Sequence, residues 1–158
     1  MNKPEFDIAE AHRYFAAHCF NAAWDLIEKR DRTEADDRLM VALAQASIYH
    51  WLNRPDVADK NLAIGYWQAS RVHALVGAPE EAKRCAEICL AFSRDLEPFH
   101  QAYAHEALAR AARVLGDHRG AAAYLKNAWN FAKAVQDEKA RRSLETDLES
   151  LGATQQEA

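Results

Sequence analysis

The stretch GYWQASRVHALVG, residues 65–77, carries side chains of four types that could bind or transform a ligand. A tryptophan, a serine, an arginine and a histidine fall close together on one predicted helix. A guanidinium pairs with carboxylates and stacks on aromatic rings, an imidazole titrates near neutral pH, and an indole offers a flat apolar surface. The residues in question are Trp67, Ser70, Arg71 and His73. They either line a binding site or pack inside a helical protein.

A second candidate is His50, which precedes Trp51 in ASIYHWLN, residues 46–53. Placed in a cleft, His50 could act as a base or a ligand near neutral pH. At the end of a helix, it would instead interact with the terminal carbonyl groups. We favour the helix-end interpretation.

Metal and cofactor chemistry has little support. His12 and His18 are six positions apart and fall on different helical faces, and no HExxH, CxxC or paired ExxH motif occurs. Cys85 and Cys89 have a spacing that a metal could use, but buried structural cysteine explains that spacing better. GxSxG and phosphate-loop motifs are missing as well. We therefore predict no metal, no cofactor and no catalytic residue.

Composition is that of an ordinary globular chain. Of the 158 residues, 49% are hydrophobic and 28% are charged, which predicts a single domain over 1–158. The net charge of −4 argues against nucleic acid as a partner. No signal peptide or membrane span is expected, and the odd number of cysteines, three, favours a reduced, cytoplasmic setting.

Prolines and glycines divide the chain into seven predicted helices. Thr33 begins a capping-box pattern, T-E-A-D, and Gly77, Gly116 and Gly152 each follow an apolar-periodic segment. No alternating strand pattern is present, so the predicted fold class is all-α, with antiparallel neighbours because the connections are short. The predicted helices cover about 6–29, 34–51, 56–76, 79–94, 98–115, 118–135 and 137–151.

An internal repeat appears when residues 71–95 are aligned with residues 110–134, at an offset of 39. The turn glycines coincide, and the pattern of small and apolar residues around them matches. The corresponding pairs include Arg71 and Arg110, Gly77 and Gly116, Ala82 and Ala121, Cys89 and Ala128, and Phe92 and Phe131.

This pattern resembles the tetratricopeptide repeat (TPR), in which two helices joined by a tight glycine turn approach closely at small residues. The resemblance is clearest over 56–135. It implies stacked αα-hairpins, with residues 136–152 forming a capping helix whose apolar stripe is Ala140, Leu144, Leu148 and Leu151. Residues 153–158 are expected to form a disordered tail.

The resemblance also implies which side chains face the concave groove. In the repeat at 65–77, it places Trp67 and Arg71 in the groove, and Ser70 and His73 between the helices. The predicted ligand-binding residues are Trp67, Arg71, Tyr103, Glu106, Arg110 and Arg113. An aromatic group beside guanidinium groups suits a carboxylate, a planar group or a peptide. The alternative is that Arg71, Glu106 and Arg110 form only a structural ion-pair network.

Three functions remain open at this point. The leading hypothesis is a protein- or peptide-binding module, with Trp24 as a further anchor. The second is a sensor that encloses a small acidic or aromatic ligand, and the third, with least support, is an enzyme that uses His50 or Glu106 as acid or base. Aromatic residues on the first helix would also permit a homodimer, namely Phe6, Tyr14, Phe20 and Trp24.

Overall fold

A computed structural model of the protein describes residues 5–153. Within this range the chain forms seven α-helices and no strand, which confirms the all-α prediction. The helices are α1 (Ile8–Glu28), α2 (Glu34–Leu52), α3 (Asp59–Leu75), α4 (Pro79–Ser93), α5 (Pro98–Val114), α6 (His118–Ala132) and α7 (Glu138–Ala153).

The helices begin where the sequence supplies a cap. The Thr33 hydroxyl accepts from the backbone N–H of Asp36 at 3.2 Å, and the Asp36 carboxylate accepts from the N–H of Thr33 at 2.8 Å, which completes the predicted capping box. Helix α3 begins three residues later than predicted. The Asn61 side chain accepts from the N–H of Ala58 at 3.0 Å, and this local bond places the start of the helix at Asp59.

Helices α3 and α5 end in the same glycine motif. Gly77 and Gly116 have positive φ angles of 72° and 78°. The N–H of Ala78 donates to the carbonyl of His73 at 2.9 Å, and the N–H of Asp117 donates to that of Ala112 at 2.9 Å, which is the Schellman pattern. Gly152, in contrast, lies inside α7 and has no positive φ, so it does not end a helix as predicted.

Each helix packs on its neighbour in the chain, and the short connections make these neighbours antiparallel. The odd-numbered helices also contact one another, α1 with α3, α3 with α5, and α5 with α7. Within the described range, the even-numbered helices make no such contacts. This arrangement is consistent with a helical repeat, and it gathers the odd-numbered helices on one side of the molecule.

Positions that correspond across the repeat have the same environment. The paired residues Ala82 and Ala121 are both buried, as are Cys89 and Ala128. A small residue also allows α2 and α3 to approach closely, because a Cβ atom on Gly65 would lie 3.2 Å from a side-chain carbon of Ile48. Burial at these positions therefore reflects helix packing, as the pattern of small residues predicts.

Helix α7 covers the end of the stack with the predicted apolar stripe, in which Leu144, Leu148 and Leu151 are buried. Its last residue is Ala153, and the rest of the predicted disordered tail lies outside the described residues. None of the helices described is both long enough and apolar enough to cross a membrane.

Candidate functional site

Four aromatic rings form a continuous row across the odd-numbered helices. The rings of Trp24 and Trp67 have centroids 5.5 Å apart, those of Trp67 and Tyr103 are 4.9 Å apart, and those of Tyr103 and Phe99 are 5.0 Å apart. These distances are typical of favourable tilted and edge-to-face contacts. The row joins α1, α3 and α5, and we call the surface around it, including Arg71, Arg110 and Arg113, the inner face.

Glu106 is the buried centre of the inner face, with 0% of its surface exposed. The indole N–H of Trp67 donates to Oε2 at 2.8 Å, and Nε of Arg110 donates to Oε1 at 3.1 Å, with a second bond from Nη2 of Arg110. Both carboxylate oxygens are therefore occupied. Glu106 positions Trp67 and Arg110 and has no surface with which to contact a ligand.

Tyr103 and Arg113 connect α5 to α7. The hydroxyl of Tyr103 donates to Asp147 at 2.9 Å, and burial together with the nearby Asp147 carboxylate raises the pKa of Tyr103. A guanidinium nitrogen of Arg113 donates to the carbonyl of Leu151 near the end of α7, where a cation is favourable. These two predicted site residues hold the last helix in place.

Arg71 is the exception among the six predicted site residues. Its half-buried guanidinium lies 5.4 Å from the centroid of the Trp24 ring, and among the described residues it has no hydrogen-bonded or ion-paired acceptor. Burial and the neighbouring Arg110 lower the pKa of Arg71, while Glu106 and Asp147 act in the opposite direction. Arginine nevertheless stays charged in proteins, so Arg71 is a cation of the inner face that no residue within 5–153 pairs with.

Ser70 and His73, the other two candidate residues of the 65–77 stretch, point away from the inner face. Ser70 is buried and donates to the carbonyl of Ala82 at 2.8 Å, which joins α3 to α4. His73 is half-buried, and its Nε2 lies 3.3 Å from the side-chain nitrogen of Gln45 on α2. Both residues lie between helices, and only Trp67 and Arg71 belong to the inner face.

A pocket of about 190 Å³ opens beside Trp67, between the first halves of α3 and α5 and above the end of α4. It extends the aromatic row, since Trp67, Tyr103 and Phe99 belong to both. Sequence reasoning missed Phe99, although it lies four positions before Tyr103 on the same helical face. The pocket is lined by Ala63, Ile64, Trp67, Cys89, Ser93, Phe99, His100 and Tyr103.

His50 lies in the last turn of α2, but its partner is another histidine. Nδ1 of His50 is 2.9 Å from Nδ1 of His12 on α1, and the rings of Phe15 and Tyr49 pack beside the pair. Burial and the nearby His12 lower the pKa of His50. This histidine pair lies at the junction of α1 and α2, away from the inner face.

The aromatic residues considered for a homodimer divide into two groups. Trp24 contacts Trp67 and Arg71 on the inner face, and Phe20 packs against Trp24 with centroids 6.4 Å apart. Phe6 and Tyr14 remain exposed.

The cysteines are protected from reaction. Cys19, Cys85 and Cys89 are free and buried, and burial raises the pKa of Cys85 to about 11 and that of Cys89 to about 12. Thiols with such pKa values are poor nucleophiles near neutral pH. Over residues 5–153, no three His, Cys, Asp or Glu side chains lie close enough together to hold a metal ion.

The inner face thus combines an arginine without an acceptor in the described part of the chain, an aromatic row and a small apolar pocket. No protein-family model, no curated protein and no solved structure matches this chain.

Proposed function

We propose that this chain is a TPR-like interaction module and that its inner face binds an acidic segment of a partner protein. The observation that carries the proposal is the half-buried guanidinium of Arg71, which lies beside Trp24 without an acceptor among the described residues. A carboxylate from a partner would supply that acceptor through charge-assisted hydrogen bonds. The indole of Trp24 would stack against the guanidinium and hold it in place.

The charges around Arg71 support an anionic partner. Glu106 is paired with Arg110, and Asp147 accepts from the neutral hydroxyl of Tyr103, so neither carboxylate is bonded to Arg71. Among the described residues, the guanidinium groups of the inner face outnumber the carboxylates, which leaves a net positive charge. The guanidinium groups are those of Arg71, Arg110 and Arg113, and the carboxylates are those of Glu106 and Asp147. Because Trp24 already holds the guanidinium of Arg71 in position, an anion that binds there causes little further loss of side-chain entropy.

The size of the pocket favours a protein segment over a small ligand. Sites for drug-sized molecules usually enclose about 300–1,000 Å³. The pocket beside Trp67 measures about 190 Å³, which is smaller than that range. A partner that extends across the inner face would use the pocket for only one of its groups.

The repeat supports the TPR-like architecture. Trp67 and Glu106 are 39 positions apart and bond directly to each other across α3 and α5. Successive repeats therefore present corresponding positions to the same surface, which is how solenoid proteins build extended binding faces.

A random peptide library displayed on phage tests this proposal with the full chain as bait. The expected result is enrichment of peptides rich in Asp and Glu. Arg71→Ala should weaken the binding of these peptides about ten-fold or more, because a charge-assisted contact is lost. The matched control is Arg84→Ala, which removes an exposed arginine from α4 and should leave binding unchanged.

Two results would contradict the proposal. One is that acidic peptides are not enriched. The other is that Arg71→Ala binds the selected peptides as well as the natural chain does.

The second candidate function is a sensor for a small acidic or aromatic molecule. The observation in its favour is that Trp67, which lines the pocket, precedes Arg71 by one helical turn on α3. A thermal-shift screen with benzoate and indole-3-acetate separates the two candidates. A stabilisation that depends on Arg71, together with a failure to select peptides, would favour the sensor.

A further inference from the structure

We infer that the pocket beside Trp67 accepts one bulky apolar side chain of the partner segment, two or three positions from the acidic residue that Arg71 binds. This inference rests on the proposed function and makes its recognition rule more specific.

Most polar side chains around the pocket already have hydrogen-bond partners, and the exposed lining is mainly apolar. The indole N–H of Trp67 and the hydroxyl of Tyr103 donate to carboxylates outside the pocket, and the Ser93 hydroxyl donates to the carbonyl of Cys89 at 2.8 Å. The thiol of Cys89 stays protonated because burial raises its pKa to about 12. Burial also lowers the pKa of His100, which favours its neutral form. What the pocket offers a partner is apolar and aromatic contact.

The volume of the pocket limits its occupant to a single group. A cavity of about 190 Å³ is below the usual size of small-molecule sites but can hold one large side chain. Burying a leucine, isoleucine, phenylalanine or methionine side chain is favourable in proportion to the apolar area removed from water. These residue types are the expected occupants.

The spacing follows from the geometry of α3. Trp67 and Ile64 line the pocket, and they precede Arg71 by four and seven residues. A helix rises about 1.5 Å per residue, so the pocket walls lie roughly 6–10 Å from Arg71 along the axis. An extended segment advances about 3.3 Å per residue, and two or three residues therefore cover the same distance.

A biased library tests this spacing. Each displayed peptide carries one fixed Glu with five random positions on either side, and the full chain is the bait. We expect Phe, Leu, Ile and Met to be enriched at the second or third position from the Glu. A synthetic peptide of the selected sequence should bind roughly ten-fold more tightly than the same peptide with that residue changed to Ala.

A protein variant then locates the apolar contact. Ile64 lines the pocket and is 37% exposed, so Ile64→Gln should fold and leave the net charge unchanged. We expect it to weaken the apolar peptide roughly ten-fold and to leave the Ala-substituted peptide unaffected. Leu39→Gln is the matched control, because Leu39 is an exposed apolar residue of α2 outside the pocket.

The possible failures are distinct. If the selected peptides depend on Arg71 but show no apolar preference, or if Ile64→Gln and Leu39→Gln behave alike, the pocket inference is overturned and the proposed function stands. If peptide binding does not depend on Arg71, both the proposed function and the inference fail.

Discussion

At the scale of single residues, Glu106 shows which contacts a local sequence pattern can predict and which it cannot. The spacing of Glu106 and Arg110, four positions on one helix, predicts that they are neighbours, and they form an ion pair. The complete burial of Glu106 depends also on Trp67, which is 39 residues away in the sequence. The packing of α3 on α5 determines this long-range hydrogen bond, which the sequence pattern of a single helix cannot predict.

Removing the Glu106 carboxylate tests whether the network holds the inner face together. Glu106→Ala leaves the mostly buried guanidinium of Arg110 and the indole N–H of Trp67 without their partner. We expect the free energy of unfolding to fall by about 3 kcal/mol, as measured by urea denaturation.

The control for Glu106→Ala is Glu87→Ala, which breaks an exposed pair with Lys83 on α4. That change should cost less than about 1 kcal/mol. Similar losses from the two variants would show that Glu106 is energetically equivalent to a surface residue.

At the scale of elements, the sequence predicts best those features that neighbouring residues create. The Thr33 capping box and the glycine turns after α3 and α5 are formed by residues within a few positions of one another. The prediction for Gly152 is wrong because α7 continues through this residue to Ala153. A glycine near the end of an apolar stripe is thus a weaker indicator of a helix end than Gly77 and Gly116, whose positive φ angles form turns between two helices.

The turn glycines should be intolerant of a side chain. Gly77→Ala and Gly116→Ala each place a Cβ atom on a residue with positive φ, although no other atom of residues 5–153 lies within 4 Å of that Cβ atom. Backbone strain alone should therefore lower the free energy of unfolding by about 1–2 kcal/mol for each change.

Gly152→Ala is the matched control for the turn glycines. A Cβ atom there also has no neighbour within 4 Å among the described residues, but the φ angle is not positive. This variant should match or exceed the natural stability, since alanine favours a helix. Thermal unfolding followed by circular dichroism compares the three. Equal effects at all three positions would refute the role of the positive φ.

Helix α3 begins with an incomplete cap that can be improved. Ala58 occupies the N-cap position with extended φ and ψ angles of −127° and 158°, but it has no side-chain acceptor. Ala58→Ser would add a hydroxyl that can accept from a backbone N–H group of the first turn. We expect a gain of about 1 kcal/mol in urea unfolding, and Thr33→Ala should lose a similar amount at α2. A loss of stability in Ala58→Ser would contradict this account of the cap.

At the scale of the whole molecule, the number and order of the helices follow from the prolines, glycines and capping residues that mark the helix ends. The contacts between distant helices do not follow from these residues. The repeat at an offset of 39 predicts that Arg71 and Arg110 share a surface, and Arg110 lies close enough to help lower the pKa of Arg71. The hydrogen bonds from α5 to Asp147 and Leu151 depend on how α7 packs against the other helices. The pocket likewise depends on the packing of three helices, α3, α4 and α5. The helical periodicity of the sequence predicts which face of a helix is apolar. Which other helix packs against that face depends on the tertiary structure.

The histidines make the stability of the whole chain depend on pH. Burial is the largest cause of a lowered pKa at His50, His73, His100 and His105. Below the ordinary histidine pKa of 6.5, the unfolded chain therefore binds more protons than the folded chain. The stabilising contribution of these residues is present in full above about pH 6.5 and is lost as the pH falls toward their lowered pKa values. Hydrogen bonds from Lys29 and Arg54 lower the pKa of Asp36 and that of Asp56, respectively, to about 2, so these carboxylates do not titrate in this window.

We expect the free energy of unfolding, measured in urea, to decrease from about pH 7.5 to about pH 5.5. His105 offers a specific test, since its ring stacks on Phe131 with centroids 5.4 Å apart and its Nδ1 is buried without a partner among the described residues. His105→Phe keeps an aromatic ring but removes the titrating group, so the decrease should become smaller. Stability that stays constant or rises on acidification would contradict the prediction. If stability decreases as much in His105→Phe as in the natural chain, the pH dependence comes from His50, His73 and His100. Each of these histidines contributes only if its pKa is lower in the folded chain than in the unfolded chain.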